Sequence, residues 1–484
     1  MKLKIGILTL LLLGLCFAGC DKRSTRPEET EQQKTWFYVN TFAFNRINQY
    51  YLWKSEIEEE LNTWLTSEEP IGKVKSIRYK DDGWTMLTDD FATFYGNVSG
   101  HRKTYGFDYL LSRYGSDRVS ILVTCTYADS PAQKAGLKRG DVITLLDGNP
   151  IPLNDYATVV NQALRNSDRV TLGLETGASV QLESKEMYEN PVLLSKVFDC
   201  AGKKVGYLVY TNFTLDSYKD LIDACIQFKK AGIRELILDL RYNNGGFNLA
   251  EQFFASMLVP EAEVQAKSLL SMEIYNDELT QTYKEAGIDT NTYLETEYIF
   301  TSSDGKKYDF STAGANVGVD RIYAIVSTGT ASASEALLCE LLPYLDVTLV
   351  GAKTHGKFCS GLILQAPEYF KSAAKQLKEK GVDPDEGQRY TDNWGIYVMT
   401  SRFADKNGET RCMPDGLTPD YAVADNPQDG FALGDPQETM LARTLALCGY
   451  PSAAPRSLTP SAPKVAPILL GYERPGFGVY LQHP

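Results

Sequence analysis

Two stretches of the chain carry residue types that can do acyl-transfer chemistry. Thr330-Ala331-Ser332-Ala333-Ser334-Glu335 puts serine hydroxyls in a turn of small residues, and Gly356-Lys357 follows at a fixed distance. A serine hydroxyl is a weak nucleophile until a neighbouring base takes its proton. A lysine amine acts as that base where an apolar setting favours its neutral form. Phe358 and Cys359 adjoin Lys357 and suit such a setting. Attack on a carbonyl also requires fixed N–H donors for the oxyanion that develops.

The flanking pattern can position these groups. Residues 321–327 form an apolar run of buried-strand type, and 336–342 have helical spacing. A turn between a buried strand and a helix raises a side chain to the rim of a sheet. It also leaves N–H groups free at the helix N-terminus, where they favour negative charge. A second apolar run, 345–351, then returns the loop 352–357 to the same place.

In these stretches the chain resembles the C-terminal processing peptidases, or tail-specific proteases, which use a serine–lysine dyad. Their pattern is Ser/Thr-Ala-Ser-Ala-Ser-Glu followed by Gly-Glu-Lys-Thr-Phe-Gly-Lys-Gly. Thr330 to Glu335 matches the first part and Gly351-Ala-Lys-Thr-His-Gly-Lys357 the second. The resemblance implies Ser332 as nucleophile and Lys357 as its base. Residues 235–241 read as a buried strand ending in Tyr242-Asn243-Asn244-Gly245-Gly246. This resembles the family's Asp-Leu-Arg-Asn-Asn-Pro-Gly-Gly and implies an oxyanion hole from Gly245, Gly246 and the Ala333 N–H. Two positions depart from the family pattern. Gly361 stands where a lysine-orienting Gln is usual, with Gln365 four residues further on, and Pro343 stands where Asp is frequent.

The resemblance further implies an α/β multidomain protein, with a crotonase/ClpP-like α/β catalytic core, an inserted, mostly β PDZ domain and a helical N-terminal region. The strand–helix–strand alternation over 204–241 agrees with an α/β unit. Residues 35–100 are aromatic and amphipathic at helical spacing, and 101–186 change to short strands. Within the latter, Ser130-Pro-Ala-Gln-Lys-Ala-Gly-Leu-Lys-Arg-Gly-Asp-Val-Ile143 resembles the PDZ signature of processing proteases. Tyr105, Gly106, Phe107 and Asp108 sit where that family keeps its carboxylate-binding loop. Free N–H groups there are expected to hold a peptide's terminal carboxylate while the peptide adds as a strand.

Residues 187–448 make the expected catalytic domain, with polar insertions near 260–318 and 366–394 that read as a lid, a subdomain or surface decoration. Residues 395–403 and 406–408 read as a returning hairpin, and 414–420 match the family's closing motif. The Pro/Ser-rich 449–484 is a linker in which residues 465–480 add a short docking segment.

Residues 1–19 read as a leader: Lys2 and Lys4, an apolar core over 5–17, then Phe17-Ala18-Gly19-Cys20, which resembles a bacterial lipobox. The resemblance implies lipidation of Cys20, with 20–34 as a tether. Seven further cysteines are scattered, an odd number that cannot all pair internally. Cys359 is the one whose oxidation is expected to matter. A net charge of -13 disfavours a nucleic-acid partner. No zinc-spaced cluster, Walker loop or dinucleotide fingerprint appears, so no cofactor or metal is expected. The expected protein is an exported, lipid-anchored serine endopeptidase that acts on unfolded or C-terminally exposed polypeptides in the cell envelope. A peptide-binding scaffold on a decayed protease fold and a signalling protease with one dedicated partner stand beside that reading.

Overall fold

Runs of Val, Ile and Leu such as Glu235–Asp239 and Arg321–Val326 have no polar face to offer solvent, so each must lie inside a sheet covered on both sides. The computed structural model, which describes residues 29–302, 305–451 and 469–473, puts them at the centre of a six-stranded sheet. The expected leader, Cys20 and most of the tail lie outside the described residues. The strand order is Val192–Cys200, Lys203–Tyr210, Glu235–Asp239, Arg321–Val326, Asp346–Gly351, Tyr421–Ala422. The first pair is antiparallel and every later pair is parallel. Parallel neighbours require crossovers, which the helices Tyr218–Ala231, Asn248–Leu258 and Ala333–Leu341 supply. As a result the loops after Asp239, Val326 and Gly351 leave the same edge of three adjacent strands. The carboxyl edge of a parallel sheet is where such folds place their chemistry.

A second sheet is built around Gly395–Asp405, which pairs with Met86–Thr88, Leu269–Tyr275 and Cys359–Gln365. Residues 395–405 are thus one long strand shared by three partners. The expected return stops at an Asn407-Gly408 turn closed by Asp405 N–H and Glu409 O. The two insertions are structural parts of the molecule. Leu269–Tyr275 lies in the second sheet, and Leu294 and Tyr298 are buried in the main core. Phe370 and Tyr390 share a core with Phe42, Tyr51 and Leu61 of the N-terminal helical region. Fully burying each such side chain stabilises the fold by about 1.5–3 kcal/mol.

The region 101–186 folds around its own core of Tyr109, Ile121, Ile143 and Leu172. Its sheet runs Phe107–Tyr114, Arg118–Thr126, Asn149–Pro152, Val142–Leu146, Arg169–Leu174, Ser179–Glu183. A buried ionic cluster ties it to the six-stranded sheet. Arg241, fully buried, donates to Asp239 (2.9 and 2.7 Å), to Glu438 (2.7 and 3.0 Å) and to Asp425 (3.1 Å). Arg139, from the β domain, donates to Asp425 at 2.8 Å and to Tyr242 Oη at 2.5 Å. Burial pushes the Asp425 and Glu438 carboxyls up, but Arg241 and Arg139 more than offset this and hold both below their ordinary values.

Burying a charge is tolerable only while its partners remain. Arg241→Met leaves three carboxylates without their shared cation and should cost about 3–5 kcal/mol, read as a lowered urea midpoint. Because the Asp425 and Glu438 pKa values are depressed, their stabilisation is complete above the ordinary values of 3.8 and 4.5. Stability of the wild-type chain should therefore fall as the pH drops through and below that range, as acid titration of the urea midpoint will show.

Candidate active site

Ser332 is placed by backbone geometry. It stands between strand 321–326 and helix Ala333–Leu341 with φ 57° and ψ −120°. A left-handed φ at a residue with a Cβ costs of order 1–3 kcal/mol and persists only where the surroundings enforce it. Two residues enforce it here. The Asn243 carbonyl accepts from Ala331 N (3.2 Å) and Ser334 Oγ (3.0 Å), while Asn243 Nδ2 donates to Tyr210 O (3.0 Å). This fastens the glycine loop, the serine turn and the sheet together, and it commits the Ser334 hydroxyl.

The second enforcing residue is Glu335. Its Oε1 accepts from Thr354 Oγ1 (2.5 Å) and Gly356 N (2.7 Å), and its Oε2 from Lys357 N (2.9 Å) and Ser332 N (3.1 Å). One side chain therefore clasps the backbone of both expected catalytic residues. Burial pushes its pKa up and the four hydrogen bonds pull it back, which leaves it raised to about 7. Four converging donors need an acceptor-only group, and the ionised carboxylate is that group.

Gly245 and Gly246 have φ of 105° and 141°, and a Cβ on Gly245 would lie 2.7 Å from Ser332 Cβ. No larger residue fits against the serine. The Gly245 N–H is committed to Asn243 Oδ1 at 2.9 Å, so it is not available for the oxyanion role expected of it. The N–H groups of Gly246 and Ala333 have no acceptor among the described residues.

Lys357 lies where the chain passes from the first sheet to the second. Its Nζ donates to Tyr397 Oη at 2.9 Å and sits 4.8 Å from the Tyr397 ring centroid and 6.0 Å from that of Trp84. Among the described residues no hydrogen bond joins it to Ser332 Oγ. Tyr397 thus stands in for the absent glutamine, and Gly361 makes room for it. A Cβ at 361 would meet the Tyr397 ring at 2.8 Å and Met399 Cε at 2.5 Å. Gln365 ends the neighbouring strand, where its backbone pairs with Gly395.

Trp84 comes from the N-terminal region, held by Asp82, whose Oδ1 accepts from Trp84 N at 2.8 Å and Thr85 N at 2.9 Å. Neither Trp84 nor Tyr397 carries a motif, and nothing in the spacing links strands 359–365 and 395–405. His355 is mostly buried, and desolvation together with Lys357 lowers its pKa. All seven described cysteines are free and buried. Burial pushes the Cys359 thiol well above its ordinary value, so it is poorly placed for oxidation.

The expected peptide-binding residues lie together at the start of strand 107–114. Their donors are partly committed. Gly106 N–H goes to Thr104 Oγ1 at 3.0 Å, and Tyr105 Oη to Ser167 O at 2.7 Å. Asp108 is buried and accepts from Tyr127 Oη at 2.7 Å, a structural role. Phe107 belongs to the β-domain core. The Gly106 N–H expected to be free for a carboxylate is therefore occupied.

A serine turn, a glycine loop and a lysine loop meeting at one sheet edge define the class of a serine-type peptidase. Residues 204–423 match the sequence profile of peptidase family S41. It is 24% identical over 390 residues to the carboxyl-terminal-processing protease of Synechocystis, covering 74% of this chain and 81% of that protein. It is 28% identical over 373 residues to a CtpA-like serine protease of Staphylococcus haemolyticus, covering 75% of this chain and 63% of the relative, under two thirds of its length. A crystal structure from Bacteroides fragilis assigned to the S41 proteases superposes with a TM-score of 0.61 at 21% identity. It covers 85% of this chain and 96% of its own and shows the shared fold.

Two substitutions test the geometry. Glu335→Gln places an amide donor against backbone donors, and leaving one buried donor unpaired costs about 1–3 kcal/mol. The turnover number should fall about 10–100-fold with KM little changed. Tyr397→Phe keeps the ring and removes only the acceptor of the Lys357 hydrogen bond. Steady-state kinetics should show kcat reduced about tenfold and its pH profile displaced, again with KM nearly constant.

Proposed function

We propose that the chain is a serine endopeptidase in which Ser332 attacks a peptide carbonyl and Lys357 takes the serine proton, then returns it to the leaving amine. Gly246 and Ala333 N–H groups hold the oxyanion. The observation that carries this reading is the convergence of three sheet-edge loops on Ser332, with Glu335 clasping the serine turn and the lysine loop. Lys357 rests on Tyr397, and in this reading its flexible side chain reaches Ser332 while the clasped backbone stays in place. Side-chain reorientation of this kind is fast compared with turnover.

The substrates in this reading are unfolded or C-terminally exposed polypeptides. The β domain 101–186 acts as a PDZ-like docking module that accepts them as an added strand along residues 107–114. On sequence grounds, the protein is exported and lipid-anchored through Cys20, so that its substrates are proteins of the cell envelope.

Incubation of the chain from Asp21 onward with an unfolded protein bearing an apolar C-terminus will test the dyad. Wild type should give fragments identifiable by mass spectrometry. Ser332→Ala and Lys357→Ala should each lower the rate by about 10³-fold or more while leaving substrate binding intact. Equal cleavage by all three proteins would remove both residues from the mechanism.

A further inference from the structure

Residues 469–473 leave the catalytic domain and join the β domain. Their backbone pairs antiparallel with strand 107–114, with Leu469 opposite Ser112, Gly471 opposite Leu111, Tyr472 opposite Leu110 and Glu473 opposite Tyr109. They form the outermost strand of a sheet that then has seven strands. On its other side, 107–114 pairs with Arg118–Thr126, so without the tail it would be the sheet's edge. An edge strand offers a row of unpaired N–H and C=O groups and accepts an extended segment.

The tail's direction matters. It runs from Ser112 toward Tyr109, and so toward the Tyr105–Asp108 loop, the approach a docking polypeptide's C-terminal end would take. Residues 474–484 still follow in the sequence, so the segment points toward that loop as an internal stretch and not as a terminal carboxylate. The committed Gly106 N–H suits such an occupant, because nothing there has to be captured.

We propose that residues 469–473 are a built-in competitor that covers the strand-accepting edge in the resting chain, so that an incoming polypeptide must displace them. This rests on reading the β domain as the docking module. Residues 452–468, rich in Pro, Ser and Ala, tether the segment to the catalytic domain. A short tether of that kind gives an effective concentration of about millimolar. A tail segment that binds with an intrinsic Kd of about 0.1 mM then covers the edge about nine-tenths of the time. It raises the apparent Kd of any competitor about tenfold.

The test compares three proteins: the full chain, the full chain with Gly471→Pro, and a chain ending at Pro451. Gly471→Pro removes a backbone N–H and opposes the strand without deleting the tail. Amide hydrogen exchange over residues 109–112 should quicken at least tenfold in both variants. A synthetic peptide of residues 465–484 should bind the shortened chain and not the full one. A short synthetic peptide ending in apolar residues should bind the shortened chain about tenfold more tightly and restore protection at 109–112. Unchanged exchange at 109–112 in both variants overturns the competitor, and leaves the docking reading standing if the apolar peptide still protects those amides. An apolar peptide that binds neither protein at 109–112 overturns the docking reading, and the competitor with it.

Discussion

The site depends on the acceptor capacity of a single buried carboxylate. Two chain segments, the turn at Ser332 and the loop at Lys357, hang on the two oxygens of Glu335. Each of its four hydrogen bonds, if left unmade, would strand a buried donor at a cost of about 1–3 kcal/mol. Their sum exceeds the cost of holding Ser332 at a left-handed φ, which is why that conformation persists. Burial pushes the glutamate's pKa up, against the four hydrogen bonds that favour its ionised form. A neutral side chain in its place would relieve the desolvation but could not satisfy donors from both sides.

The same logic recurs one layer below. Arg241 and Arg139 stand among Asp239, Asp425 and Glu438, and the side chains of Arg241, Asp239 and Glu438 are fully buried. Hydrophobic residues of similar volume would be at least as stabilising there. The ionic version adds direction. It sets Tyr242, and with it the glycine loop, against the sheet face of the β domain, where Tyr242 packs with Leu110, Leu122 and Val142. The catalytic edge and the β domain are therefore positioned by one continuous set of buried polar contacts.

Much of this is legible in the sequence because it is local. Apolar runs such as 321–326, the serine turn and the paired glycines each declare themselves within a few residues. What is not legible is long-range pairing. Gly361 looks like a loss, because the family's glutamine is missing. In the fold it is the space that lets the Tyr397 ring approach Lys357 from a strand nearly forty positions later. Asn243 reads as one more polar loop residue, and only the structure shows its carbonyl joining two loops. Gly245 looks like an oxyanion donor until Asn243 Oδ1 is seen to hold its N–H. The polar insertions read as a lid, a subdomain or decoration because their apolar residues are sparse. Yet Tyr298, Phe370 and Tyr390 suffice to lock them into the cores.

Lys357 in the described state leans toward aromatic rings and a phenol, while its backbone is already fixed beside Ser332. An arrangement in which the backbone is clasped and only a flexible four-carbon side chain remains to move separates two tasks. Folding sets the positions of both loops through Glu335 and Asn243. In the proposed dyad Lys357 Nζ gains Ser332 Oγ as a further partner, and an amine with several N–H donors can do so without giving up Tyr397 Oη. The departure at Gly361 thus replaces an orienting amide with a phenol without removing the means of orientation.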